Sequence, residues 1–253
     1  MALDLTFKRI QFTPDLLPSD ILGAEVYDPQ HNRFKIKQGA IFTQLLLADE
    51  INRSPSKVQS ALLEAMQERQ VTIGEESFSL PRPFMVMATQ NPLEQEGVYR
   101  LPEAQLDRFM MKLVIEHNSE EEELAIMRRI ATKSSQTIAS IISPKEIEEI
   151  AQAMEQVHID EEVERYIVQL VRATREERSE LRYGASPRAT IDLYKAAKAH
   201  AYMREKDFVT PVDVLAMAYP VLRHRIGLSY EARAKGLRED TLLNTIIATV
   251  EIP

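Results

Sequence analysis

The chain has 253 residues, 44% hydrophobic and 28% charged, which is the balance of a globular protein with a substantial core. It has no cysteine, which excludes disulfides, Cys-ligated zinc and thiol nucleophiles, and a net charge of -8 argues against a dominant nucleic-acid surface. No run of about 18 apolar residues occurs and Asp4 interrupts any export signal, so the sequence predicts no membrane span and a cytoplasmic location.

In chain order, Phe7 to Phe12, Leu45 to Ala48, Phe84 to Thr89 and Met111 to Ile115 read as four short buried strands. Most are continuously apolar, the pattern of parallel strands covered by helices on both faces. Ser54 and Pro55 form an N-cap and first-turn pair, after which Val58, Ala61, Leu62, Ala65 and Met66 recur at helical spacing. Val71 and Ile73, then Phe78 and Leu80, alternate around Gly74-Glu75-Glu76 and predict a hairpin. From about Asn118 the period becomes helical, so an α/β domain over 1–117 and a helical domain over 118–253 are expected. Glu120 to Glu123 reads as the acidic start of a helix. Later helices open at Ser143-Pro144, Asp160, Ser186-Pro187 and Thr210-Pro211, with Glu146 and Asp213 at the third position of a capping box. Two stripes, Ile147, Ile150, Ala151 and Met154, and Val163, Ile167, Leu170 and Val171, are expected to face a shared core.

The residues able to do chemistry sit at the expected strand ends. Asp49 and Glu50 follow Leu45 to Ala48 at the edge where open α/β sheets place their ligands. In nucleotide hydrolysis the first acid would orient Mg2+ through its water shell and the second would polarise the attacking water. A plain solubilising loop is the other reading of the pair. Asn91 follows the next apolar strand, where its amide could hold a water in line, or simply make a turn before Pro92. Arg108 precedes the last expected strand, and Arg188 lies in the first turn of a helix. A cation there opposes the helix dipole, so either a bound anion or an ordinary surface ion pair accounts for it. The five His residues show no metal-ligand spacing.

Taken in order, Arg9 to Asp20, Leu47 to Arg53, Gln59 to Met66, Ala88 to Pro92, Leu101 to Phe109, Gly184 to Ala189 and Val221 to Arg225 resemble the MoxR family of AAA+ ATPases over essentially the whole chain. The resemblance implies a partial AAA+ P-loop NTPase core with a mostly parallel sheet, followed by a helical lid domain. It makes Asp49 and Glu50 the Walker B pair that handles Mg2+ and water, Asn91 sensor 1, Arg188 the sensor 2 residue and Arg108 the arginine finger. The implied cofactors are ATP and Mg2+. The implied assembly is a homo-oligomeric ring, hexameric as is usual for the superfamily, that acts as a chaperone-like remodeller with a von Willebrand factor A domain partner. The segment Thr13 to Ile41 resembles the helix 2 insertion of this clade, and the hairpin at Val71 to Leu80 the insert before sensor 1.

One motif of the family is missing. A phosphate loop needs G-x-x-x-x-G-K-[S/T], and none of the seven glycines is followed by lysine. The family places that loop upstream of Phe7 to Phe12, so an N-terminally truncated copy is expected, whose sheet lacks one strand and a covering helix. Two alternatives follow: a non-catalytic ring component unable to bind ATP, and a magnesium-chelatase-like AAA+ motor.

Overall fold

A computed structural model of the chain describes residues 2–91, 99–131 and 139–253. In chain order it runs β1 (Phe7–Gln11), α1 (Pro18–Leu22), β2 (Gly23–Asp28), β3 (Arg33–Gln38), β4 (Leu45–Asp49), a 3-10 turn (Ile51–Arg53), α2 (Ser56–Glu68), β5 (Gln70–Ile73), β6 (Glu76–Ser79), β7 (Met85–Ala88) and α3 (Glu103–Leu106). It continues with α4 (Glu120–Ala131), α5 (Pro144–Glu155), α6 (Glu161–Ala173), β8 (Leu181–Tyr183), α7 (Pro187–Met203), α8 (Pro211–Leu222), β9 (Gly227–Leu228), α9 (Tyr230–Ala234) and α10 (Glu239–Ile247).

The site rests on a parallel sheet in the order β1-β4-β7, with Leu45 between Phe7 and Met85, and Gln11 beside Asp49. Its two faces differ. Leu46 and Ala48 point into a core with Phe12, Ile21, Ile51, Val58, Leu62 and Leu63, which α2 closes with its apolar stripe. The other face carries Phe7, Leu45, Leu47, Met85 and Met87 and stays open, with Met85 54% exposed. A second core gathers Tyr166, Ile167 and Leu170 of α6, Leu193 of α7, Leu222 of α8 and Leu243 of α10.

The expected strand over Met111 to Ile115 does not form: the segment has no ladder, and Ile115 is 94% exposed. Apolar composition makes a strand only where a neighbour takes up the backbone bonds. In this sheet β7 has one strand neighbour, β4, and the N–H of Lys112 donates instead to the carbonyl of Pro220 at 2.8 Å. The α5 stripe is a second correction, since no residue of that helix is fully buried whereas the α6 stripe is. Helix α2 starts one residue later than expected, because the Ser54 hydroxyl bonds Ile51 O at 3.3 Å instead of capping it. Two ladders escaped the sequence: the antiparallel β2–β3 hairpin within the segment Thr13 to Ile41, and the short β8–β9 pair between helices.

The capping boxes at Ser143 and Thr210 form as read. At the second, the Asp213 side chain is fully buried and accepts from Thr210 N at 2.9 Å, His200 Nδ1 at 2.9 Å and Lys206 Nζ at 3.1 Å. Burial acts to raise its pKa, but these bonds outweigh burial and hold it at about 2, below the ordinary 3.8. A folded value below the unfolded one means stabilisation that is present above about pH 4 and lost as pH falls toward about 2. Asp213→Asn is expected to lower the urea midpoint at pH 7, with the gap to the parent chain closing between pH 4 and pH 2. Circular dichroism across that range checks this, and a constant gap would refute the linkage.

Candidate functional site

Asp49 is the last residue of β4, still paired with Gln11, and is not the first residue beyond the strand. Glu50 follows in the left-handed region at φ 55° and ψ 49°. A non-glycine residue held there costs on the order of 1–3 kcal/mol, so the surroundings have to enforce it. Thr89 at the end of β7 does so: its hydroxyl donates to Asp49 and accepts the Glu50 N–H at 2.9 Å, and its carbonyl accepts the Ile51 N–H at 3.1 Å. Behind the turn, buried Gln59 of α2 spans the carbonyls of Ile51, Ser54 and Tyr99 through Nε2 at 3.1 to 3.2 Å.

From the β1 side, Arg9 donates to Asp49 through Nε at 3.1 Å and through Nη2, while Gln11 Nε2 donates to Glu50 at 2.7 Å. Arg53 Nη1 reaches the same Glu50 oxygen at 3.1 Å. The Thr89 hydroxyl first, and then the Arg9 guanidinium, hold the Asp49 carboxyl below the usual carboxylate range. The pair fits a Mg2+ polyphosphate, because magnesium takes only one or two protein carboxylates and keeps water and phosphate oxygens as its other ligands. Among the described residues no group of three or more acids and histidines could hold a metal alone.

Asn91 stands two residues beyond Thr89 on the same strand end, half-buried. Pro92, expected to stop that strand, lies outside the described residues. The two arginines have separate partners. Arg108 Nη1 donates to the Leu63 carbonyl on α2 at 3.2 Å, and Arg188 Nη1 to Asp107 at 2.6 Å. Neither is paired with Asp49 or Glu50. Of the two readings of Arg188 the structure shows the ion pair, with Asp107, whose carboxylate also accepts from the Ser186 hydroxyl at 2.9 Å and lies 3.0 Å from Arg225 Nε. Sequence reasoning passed over Thr89, Arg9 and Gln11, which lie inside the matched stretches but take their role from a register opposite the acids. It also passed over Asp107 and Arg225, although both lie inside the matched stretches.

A parallel sheet with paired acids at a strand end, joined through Asp107 to a helical unit that carries Arg188 and Arg225, fits an AAA-type ATPase. Residues 1–111 match the family model for the ATPase family associated with various cellular activities (AAA), and residues 172–246 match that for the AAA lid domain. The chain is 43% identical over 256 residues to Chaperone MoxR1 of Mycobacterium tuberculosis, covering 98% of this chain and 68% of that protein. It is equally 43% identical to YeaC of Bacillus subtilis, over 100% of this chain and 79% of that one. A solved structure from Cytophaga hutchinsonii described as a candidate ATPase superposes with a TM-score of 0.93 at 48% identity, over 100% of this chain and 79% of that chain. The chain belongs to the MoxR family of AAA+ ATPases, and ATP hydrolysis is the activity of that family.

The Arg108 segment is anchored to α8 through the buried His224, whose Nε2 donates to the Phe109 carbonyl at 2.8 Å. Burial first, with Arg225 and Lys112 adding repulsion, lowers the His224 pKa to about 4 from 6.5. The unfolded chain protonates this imidazole below about pH 6.5 while the folded chain resists down to about pH 4. Stability is therefore full above pH 6.5 and falls through that window by about 1.4 kcal/mol per pH unit at most. His224→Gln keeps a donor toward Phe109 but cannot titrate, so its denaturation midpoint is expected to stay flatter than the parent's between pH 6.5 and pH 4.

Proposed function

We propose that the chain is a MoxR-type AAA+ subunit that couples ATP hydrolysis to chaperone-like remodelling or assembly of protein complexes. It works in a homo-oligomeric ring, hexameric, in the cytoplasm and with a von Willebrand factor A domain partner, and not on nucleic acid. The observation that carries this reading is the Asp49 and Glu50 pair, oriented by one threonine from the neighbouring strand. Asp49 stays ionised and would hold Mg2+, which when bound would supply charge to the phosphates; Glu50 is the group to polarise the attacking water and Asn91 the group to hold that water in line. Arg188 contacts the nucleotide phosphates, and Arg108 stabilises the charge that develops on a neighbouring subunit's nucleotide. The helical lid begins at residue 118, and no helix of the described residues is long and apolar enough to cross a membrane.

A second reading, the non-catalytic ring component, is favoured by one observation: no glycine of the chain is followed by lysine, so these residues offer no G-x-x-x-x-G-K loop for the phosphates. An ATP titration separates the two. Micromolar binding contradicts the second reading, whereas ring assembly without ATP binding supports it.

Where the chain turns over ATP, Glu50→Gln is expected to slow hydrolysis by about 10²-fold or more with ATP affinity kept. Arg108→Ala is expected to slow it by about 10³-fold or more. If Arg108 serves the neighbour, mixing the two inactive variants restores part of the activity, because some interfaces then pair an intact Glu50 with an intact Arg108. A mixture as inactive as its components would overturn the shared site.

A further inference from the structure

We propose that Asp107 is a positioning residue that keeps Arg188 parked, and that an arriving polyphosphate takes Arg188 over by displacing it from the Asp107 carboxylate. The inference rests on the reading of Arg188 as a phosphate-directed cation and adds the group that holds that cation beforehand.

Asp107 binds two guanidinium groups of very different accessibility. The Arg225 side chain is 0% exposed, and its Nη2 also bonds Asp192, Asp107 O at 3.1 Å and Phe109 O at 2.9 Å. Its withdrawal would strand a buried charge, so it is fixed. The Arg188 side chain is 39% exposed, and its ion pair is with Asp107 alone. Partly exposed pairs are weak and screened, so an anion of higher charge can outcompete a single carboxylate. The 107–109 backbone stays attached meanwhile, because Arg225 and His224 hold its carbonyls without using the Arg188 contact. Asp107 adjoins Arg108, so releasing Arg188 also removes a tie from the segment that carries Arg108. Two acids, Asp107 and Asp192, balance Arg188 and Arg225, and neutralising Asp107 leaves one uncompensated positive charge with Arg188 as its accessible bearer.

The test is a titration of the full chain with sodium tripolyphosphate, followed by arginine side-chain N–H NMR and calorimetry. The Arg188 Nε–H signal is expected to move while that of Arg225 stays in place. Asp107→Asn, shown to be folded by its thermal melt, is expected to bind tripolyphosphate roughly two- to fivefold tighter, the factor by which a partly exposed ion pair competes. Asp107→Glu is expected to return the parent affinity, a rescue that a purely structural role for Asp107 does not predict. Arg188→Gln is expected to bind more weakly than the parent and to abolish the gain when combined with Asp107→Asn. An unmoved Arg188 signal at saturation, unchanged or weaker binding by folded Asp107→Asn, or no tripolyphosphate binding at all would each overturn the proposal. Hydrolysis plays no part in this titration, so a chain that fails to turn over ATP leaves the result standing, and an active chain with an unmoved Arg188 sinks the proposal alone.

Discussion

The joint between sheet and helices is governed by the burial of one guanidinium. A guanidinium is a permanent cation, and with its side chain fully out of water Arg225 has to find anions and carbonyls in fixed places. It takes Asp107 and two carbonyls from the segment after α3, and Asp192 from α7. One buried cation therefore fixes the segment bearing Arg108 against the helical unit. His224 reinforces the joint from the neighbouring position, and its low pKa keeps a second charge out of the same pocket at neutral pH.

The acid half of the site is organised differently. Its geometry comes from parallel pairing, in which three strands end side by side, and a threonine at the end of one binds both acids of the next. Glu50 can hold a left-handed backbone because its own N–H and that of Ile51 both have acceptors on Thr89. The acids are thus set by the sheet, while Arg188 and Arg108 bond an aspartate and a helix carbonyl. On the proposed reading, fixed acids and cations held by single partners suit a site whose cations serve a charge that arrives later.

Much of this was readable in the sequence because its determinants are local. Ser143 with Glu146 and Thr210 with Asp213 announce helix starts through bonds three residues apart, and the α6 stripe announces its buried face. The acid pair and its neighbouring strand could be placed for the same reason. Thr89, Arg9 and Gln11 could not, because their meaning lies in a register between strands far apart in sequence. Asp107 was hidden by its neighbour: Arg108 drew the functional reading, and the partner of Asp107 is a helix eighty-odd residues on. The Met111 to Ile115 error has another cause, since apolar composition reports what a segment can bury and not whether a neighbour is present to bury it.

That error and the open sheet face are one observation. Among the described residues β7, like β1, pairs along one edge only, and Phe7, Met85 and Met87 lie substantially exposed on the same face of the sheet. Each such side chain would contribute about 1.5–3 kcal/mol if fully covered, and parallel sheets are almost always covered on both faces. The β7 edge lies on the Thr89 and Asn91 side of the acid pair, whereas on the β1 side Arg9 and Gln11 bond the acids through their side chains. Covering that face and pairing the β7 edge would therefore take place beside the acids, on the strand whose threonine sets them.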